Sequence, residues 1–309
     1  MSALFAAETV AGTLNGAAPL ILAALAGVVC ERAGVVNIAL EGIMLCAAFA
    51  GTAVTFALEP SAADGHRVAS QAGFWVPWIG LIAAVAAGVA VAMIHAVVSI
   101  SVRANQIISG VAINILAIGL TQFFCFLVFH SSSNSEVVAS LPRWGIRPFA
   151  FTPPVWLAFA LIPLGHVFLY RTVAGLRLRA VGEHPTAADT LGIRPVRVRY
   201  GALALSGGLA GLAGAALAAD VSQFVQNMTA GRGYIALAAM IFGKWTPFGA
   251  AGACLFFAAA DKAQMSLQGK VPPQLAQSLP YLLTILVLAG FVGKSRAPES
   301  LGKPYEKTG

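Results

Sequence analysis

The sequence predicts an all-α fold, a polytopic transmembrane helical bundle with discontinuous helices and an inverted repeat. Three observations lead there. Of 309 residues, 58% are hydrophobic and only 10% charged, against roughly 25% charged in soluble domains, which is too few to cover a water-facing surface. Apolar runs recur near the about 17 to 25 residues that a helix needs to cross a roughly 30 Å hydrocarbon core. The 32 glycines and 16 prolines argue against helices in water but suit spans that pack closely and are interrupted in places.

Taken in order, the expected spans are Ala17–Cys30, Leu40–Leu58, Trp75–Val102, Ile107–His130, Pro154–Tyr170, Tyr200–Ala219, Tyr234–Gly243, Phe248–Lys262 and Leu279–Val292. The first and seventh are too short to cross alone. The first runs into Glu31-Arg32-Ala33-Gly34-Val35-Val36-Asn37 and the seventh ends at Gly243-Lys244-Trp245-Thr246-Pro247, so both are expected to be pieces of discontinuous or re-entrant helix. Residues 1–309 form a single transmembrane domain of about 8–10 spans, with an arginine-rich loop at 171–199 and a tail at 293–309.

Net charge is +7, yet the cations sit mainly in short segments between apolar runs, so they mark topology rather than nucleic-acid binding. Arg171, Arg177, Arg179, Arg194, Arg197 and Arg199 crowd one loop, and Lys294, Arg296, Lys303 and Lys307 the tail. Both are expected in the cytoplasm. The segments Glu59–Phe74 and Ser131–Pro153 read as exterior, which puts the N-terminus outside if nine crossings are made. No cation precedes the first apolar run, so the N-terminus is expected to be retained rather than cleaved as a signal peptide. Cys30, Cys46, Cys125 and Cys254 have no CxxC spacing and read as small buried hydrophobes.

Polar residues inside apolar runs are the informative ones. Asn37 and Glu41 lie four apart on one helical face, flanked by Gly34 and Gly42, and a carboxylate at membrane depth should face a wet cavity or the bundle interior. They either line a solute path, or Glu41 pairs with Arg32 at the surface and holds a helix end. Asn105, Gln106 and Asn114 form a second cluster, able to hydrogen-bond a neutral polar solute or to join helices in lipid. His95 reads as an inter-helix hydrogen bonder, and Lys244 as a side chain that snorkels or pairs at the break. An internal echo, Gly34 to Leu40 against Gly231 to Leu237, precedes an apolar run in each half, on opposite sides of the membrane, as an inverted repeat requires.

In the arginine-rich loop, Pro185 suits a first helical position and Gly192 a position just past a helix end. They bracket one small cytoplasmic helix over Thr186 to Leu191, which is either a peg for a groove on a partner or an ordinary loop. No nucleotide site is present: Gly290-Phe-Val-Gly293-Lys294-Ser295 ends like a phosphate-binding loop, but Leu288 stands where its first glycine belongs. Neither HExxH, GxSxG nor paired carboxylates occur. The chain is therefore expected not to be an enzyme, with no catalytic residues, no metal and no cofactor of its own.

The stretches Glu31-Arg-Ala-Gly-Val-Val-Asn-Ile-Ala-Leu-Glu41-Gly, Ala104-Asn-Gln-Ile-Ile-Ser-Gly110, Ala180-Val-Gly-Glu183 to Gly192, and Gly231-Arg-Gly-Tyr-Ile-Ala-Leu-Ala resemble the permease subunits of ABC importers of the branched-chain amino acid and ribose type. Within that family the likeness is greatest to simple-sugar and nucleoside permeases that work with a basic-membrane-protein-type lipoprotein. The resemblance implies a multi-pass chain of the bacterial inner membrane. Its partners would be a second homologous permease, an ATP-binding subunit that carries the ATP and Mg, and a solute-binding lipoprotein. It also implies that Gly182, Glu183, His184, Thr186, Ala187, Ala188 and Gly192 form the coupling helix and its flank. Asn37 and Glu41 would lie in a broken central helix on the pathway, with Asn105, Asn114 and Phe123 as further lining. Nucleosides are the expected solute, with a ribose-like sugar or branched-chain amino acid as alternatives within the family. An ion-coupled secondary transporter is the alternative outside it.

Overall fold

The computed structural model describes residues 2–61, 67–267 and 296–306. The expected span at 279–292 and the phosphate-loop-like end at 288–295 lie outside them. Among the described residues the chain forms ten α-helices: α1 (Ser2–Arg32), α2 (Leu40–Leu58), α3 (Val76–Ala96), α4 (Gln106–Phe129), α5 (Pro153–Arg171), α6 (Val173–Glu183), α7 (Pro185–Thr190), α8 (Pro195–Val221), α9 (Arg232–Phe242) and α10 (Pro247–Leu267). Six of them, α1 to α5 and α8, are long and apolar enough to cross a membrane, and this is a multi-pass membrane protein.

Small residues build the centre. α8 packs on α2 and α3 because its glycines let backbone meet backbone: a Cβ at Gly207 would press on the Gly88 carbonyl of α3, and one at Gly214 would collide with the Met44 carbonyl of α2. In lipid such contacts, rather than exclusion of water, hold helices together. Large apolar side chains face outward instead, with Ile82 67%, Ile108 68% and Ile115 68% exposed on α3 and α4, as a lipid-facing surface requires.

One expectation is corrected here. The first span is not a short piece: α1 runs unbroken for 31 residues with Pro19 inside it. Glu8, Thr9, Thr13 and Asn15 make its first half look like a polar leader, yet Ala11 is buried and Asn15 donates to Asp220 Oδ1 at 2.7 Å, near the far end of α8. The discontinuity lies after α1, at residues 33–39. The seventh run does form a short helix, α9, whose 11 residues span about 16 Å, roughly half the hydrocarbon core.

The two ends of the bundle differ. At one end α6, α7 and the tail at 296–306 pack beneath the C-terminus of α1. At the other, residues 133–139 form a strap: Ser135 N–H donates to the Phe224 carbonyl at 2.9 Å, Val138 N–H to Ser222 at 2.8 Å, and Ala139 N–H to Glu59 Oε1 at 2.6 Å. The arginine-rich loop and the strap thus occupy opposite faces, in keeping with the charge pattern.

Candidate functional site

The break between α1 and α2 begins at Gly34, whose φ of +86° an L side chain tolerates poorly, so it ends α1 as a left-handed cap does. The β-branched Val35 and Val36 then favour extended backbone. Seven residues without helical hydrogen bonds would be costly inside a membrane unless other groups satisfied them. Side chains do so from three helices. Val36 N–H donates to Gln106 Oε1 at 2.7 Å, and the Val36 carbonyl lies 3.0 Å from His95 Nε2. The other imidazole nitrogen sits 3.0 Å from Ser109 Oγ, which fixes the ring. Asn114 Nδ2 donates to the Ile38 carbonyl at 2.9 Å and to the Tyr234 hydroxyl at 2.8 Å, while its Oδ1 accepts from Gly42 N–H at 2.8 Å. Asn37 Nδ2 donates to Ser206 Oγ at 3.0 Å, and Arg199 Nε reaches the Ala33 carbonyl at 3.3 Å.

Glu41 does not pair with Arg32. Its two carboxylate oxygens accept from Gly231 N–H at 2.7 Å and Gly233 N–H at 2.6 Å, at the N-terminus of α9. Unsatisfied amides and the positive end of a helix dipole meet a negative charge there, which is the favourable arrangement. Gly231 takes a φ of +83°, so the two glycines that open the internal echo share a left-handed conformation. Beyond them the copies diverge, because residues 35–37 have no regular structure and 38–39 form a turn, while Arg232–Phe242 is helical. The other end of α9 turns back through Lys244 and Trp245, both with positive φ. Arg32 holds that turn, its Nε donating to the Trp245 carbonyl at 2.9 Å and an Nη to Lys244 at 3.3 Å, and Trp245 Nε1 donates to Glu31 Oε2 at 2.6 Å. The half-helix is therefore clamped at both ends by residues that flank the break.

The remaining predicted residues lie elsewhere. Asn105 caps α4, accepting from Ile107 N–H at 2.9 Å and Ile108 N–H at 3.2 Å. Phe123 is 60% exposed on the outer face of α4, against Phe124, and does not join the Asn114 cluster. Ser206, Tyr234 and Arg199 were not singled out by sequence. Arg199 is one arginine among six in its loop, and nothing local distinguishes it as the buried one.

The loop at 171–199 is not irregular. Thr172 caps α6 through its hydroxyl, which accepts from Gly175 N–H at 3.1 Å. The expected small helix forms as α7, Pro185–Thr190, one residue earlier at each end than its bracketing residues suggest. Gly192 follows with φ +80°. Thr186 and Ala187 are exposed, Ala188 is buried, and Leu191 just beyond is 81% exposed. Gly182 sits so close to α1 that a Cβ would collide with the Arg32 carbonyl, so this loop rests directly on the start of the break. Glu183 accepts from Glu299 N–H at 3.3 Å, and His184 lies 3.4 Å from the Glu299 carboxylate.

Comparison with known proteins adds lineage to this geometry. The chain is 42% identical to the guanosine ABC transporter permease protein NupQ of Bacillus subtilis, over 96% of each chain. It is 36% identical to the nucleoside ABC transporter permease protein NupC of Lactococcus lactis, over 97% of this chain and 96% of that one. A Haloferax volcanii protein provisionally named a glucose ABC transporter permease, TsgC13, is 35% identical over 98% of both. No solved structure matches. Residues 9–288 match the family described as branched-chain amino acid transport system / permease component, and the chain belongs to that family.

Proposed function

We propose that this chain is the membrane-spanning permease of an ATP-driven importer of nucleosides in a bacterial inner membrane. The observation that carries the solute assignment is the 42% identity, end to end, to a guanosine permease, with a nucleoside permease next in similarity. A sugar remains the second reading, favoured by the similarly full-length glucose-named relative. ATP and its Mg belong to a separate ATP-binding chain, and a solute-binding lipoprotein delivers the nucleoside to the strap face. A second, different permease completes the pore. That pairing is supported by Lactococcus lactis, where NupB as well as NupC matches this chain, at 23% identity over 97% of it.

In this reading Gly182, Glu183, His184, Thr186, Ala187, Ala188 and Gly192 form the element that the ATP-binding chain grips. When it moves, the break at 33–39 is displaced with it, because Gly182 lies on Arg32. α9 follows through Glu31, Arg32 and Glu41, converting an outward cavity into an inward one. Asn37 offers the pathway a buried Oδ1 with no partner among the described residues, suited to a hydroxyl or amide N–H of the solute. Glu41 and Asn114 border the path by setting where α9 stands.

The solute is tested with the purified cognate lipoprotein and a thermal-shift panel of nucleosides, pentoses, glucose and branched-chain amino acids. Nucleosides are expected to raise its melting temperature. Stabilisation by glucose alone would sink the nucleoside assignment and leave the sugar reading.

A further inference from the structure

Two helices of this chain end at one place. α1 finishes at Arg32 and α6 at Glu183, and each end leaves up to about four carbonyls without intrahelical donors. Turn bonds meet some of them, from Ala33, Gly34 and Val35 at α1 and from His184 at α6, and the tail adds further donors. Ser300 N–H donates to the Gly182 carbonyl at 3.0 Å, its hydroxyl donates to the same carbonyl at 2.6 Å, and Gly302 N–H donates to the Gly34 carbonyl at 3.2 Å. Between them lies Arg199, 1% exposed. Its guanidinium reaches the Ala33 carbonyl at 3.3 Å, the Lys303 carbonyl at 3.1 Å and Ser300 Oγ at 3.3 Å. Among the described residues no carboxylate pairs with it. A buried charge held only by dipoles is tolerated only while those dipoles stay in place.

The same tail touches the loop from outside. The Tyr305 hydroxyl donates to Asp189 Oδ2 of α7 at 2.8 Å, and Glu299 meets both Glu183 and His184. A groove lined by Glu183, His184, Thr186, Glu299, Lys303 and Tyr305 runs between tail and loop on the exposed face that carries Ala187.

We infer that the tail segment Pro298–Glu306 is a mechanical link within this chain. It acts as a strut, carrying displacement of the α6–α7 loop through Ser300 and Arg199 onto Ala33–Gly34 of the broken span. This rests on the proposed coupling role of α7. Arg199 and Ser300 are positioning residues in that scheme: they touch neither solute nor nucleotide, but fix how far the break moves per stroke.

The test uses the complete transporter in proteoliposomes, with guanosine uptake and ATP hydrolysis measured together. Ser300→Ala removes the hydroxyl that joins Gly182 to Arg199, and Tyr305→Phe removes only the bond to Asp189 at the rim, where folding is not at stake. Both variants are expected to co-purify with the ATP-binding chain and keep lipoprotein-stimulated hydrolysis. Guanosine moved per ATP should fall about fivefold, the factor that the loss of one typical hydrogen bond represents. Ser300→Thr, which keeps the hydroxyl, should restore it. Unchanged guanosine per ATP in Tyr305→Phe and Ser300→Ala overturns the strut, and so does a fall in complex yield with that ratio intact, which would make the tail a cap and nothing more. The underlying docking assignment fails by a different sign: Ala187→Glu on the exposed face of α7 would then leave co-purification of the ATP-binding chain unaffected.

Discussion

Asn114 joins the end of the break to the first turn of α2 with one amide, and its replacement isolates that role. Asn114→Leu keeps the volume but leaves the Ile38 carbonyl and Gly42 N–H without partners, each orphan costing about 1–3 kcal/mol. A lower unfolding midpoint in detergent is expected, and an unchanged midpoint would mean that the amide is not needed there. Glu41→Gln is the matching change at α9. A glutamine can accept from only one of the two amides that the carboxylate holds, and loses charge-assisted bonding of about 1.5–3 kcal/mol. Amide exchange of residues 231–235 should speed up, while exchange in α8 stays as it was. Glu59, beside the strap, answers to pH. Burial pushes its carboxyl above the ordinary range, with the Ala139 amide and Arg67 opposing, and Oε2 has no partner among the described residues. A raised carboxyl contributes stability that is fully present below its unfolded value of about 4.3. That contribution is lost as pH rises through the folded value. Glu59→Gln removes this dependence, so the variant's melting temperature relative to wild type should climb as pH rises above about 4.3. A flat difference would show that the carboxyl is not displaced.

The helices α1 and α9 show how far elements could be read in advance. The shortness of α9 was legible because Gly231 and Gly243 bracket an apolar run too brief to cross. The length of α1 was not, since its polar residues find partners more than 200 positions away, as Asn15 does in Asp220. The turn after α9 was visible as Gly-Lys-Trp-Thr-Pro, but its anchors Glu31 and Arg32 lie in the other half of the chain. Polar clusters could be recognised as unusual, while their partners could not, because backbone amides and carbonyls carry no mark in the sequence. Glycines separate the two kinds of requirement. Gly231→Ala puts a side chain at φ +83° and should cost about 1–2 kcal/mol. Gly16→Ala in α1, with nothing within 4 Å of the added methyl, should be neutral or stabilise by up to about 1 kcal/mol. Unfolding midpoints of the two variants in detergent check the contrast, and equal midpoints would contradict it.

At the scale of the whole molecule, the chain is a bundle with one span opened and the opening connected at three points. Its side chains from α3, α4 and α8 hold the extended segment, α9 is clamped across it, and the α6–α7 loop with the tail presses on its start. Composition alone made the membrane legible, and the resemblance supplied the expectation of a coupling helix. What joins that helix to the break was hidden in Arg199 and Ser300, two residues whose importance comes from burial rather than type. Under the proposed function this arrangement is moved by another chain. Nucleoside uptake into proteoliposomes that contain this chain, the proposed second permease and lipoprotein, with and without the ATP-binding chain, measures this directly. Uptake is predicted only when that chain and ATP are both present, and accumulation driven by an ion gradient without them would contradict the account.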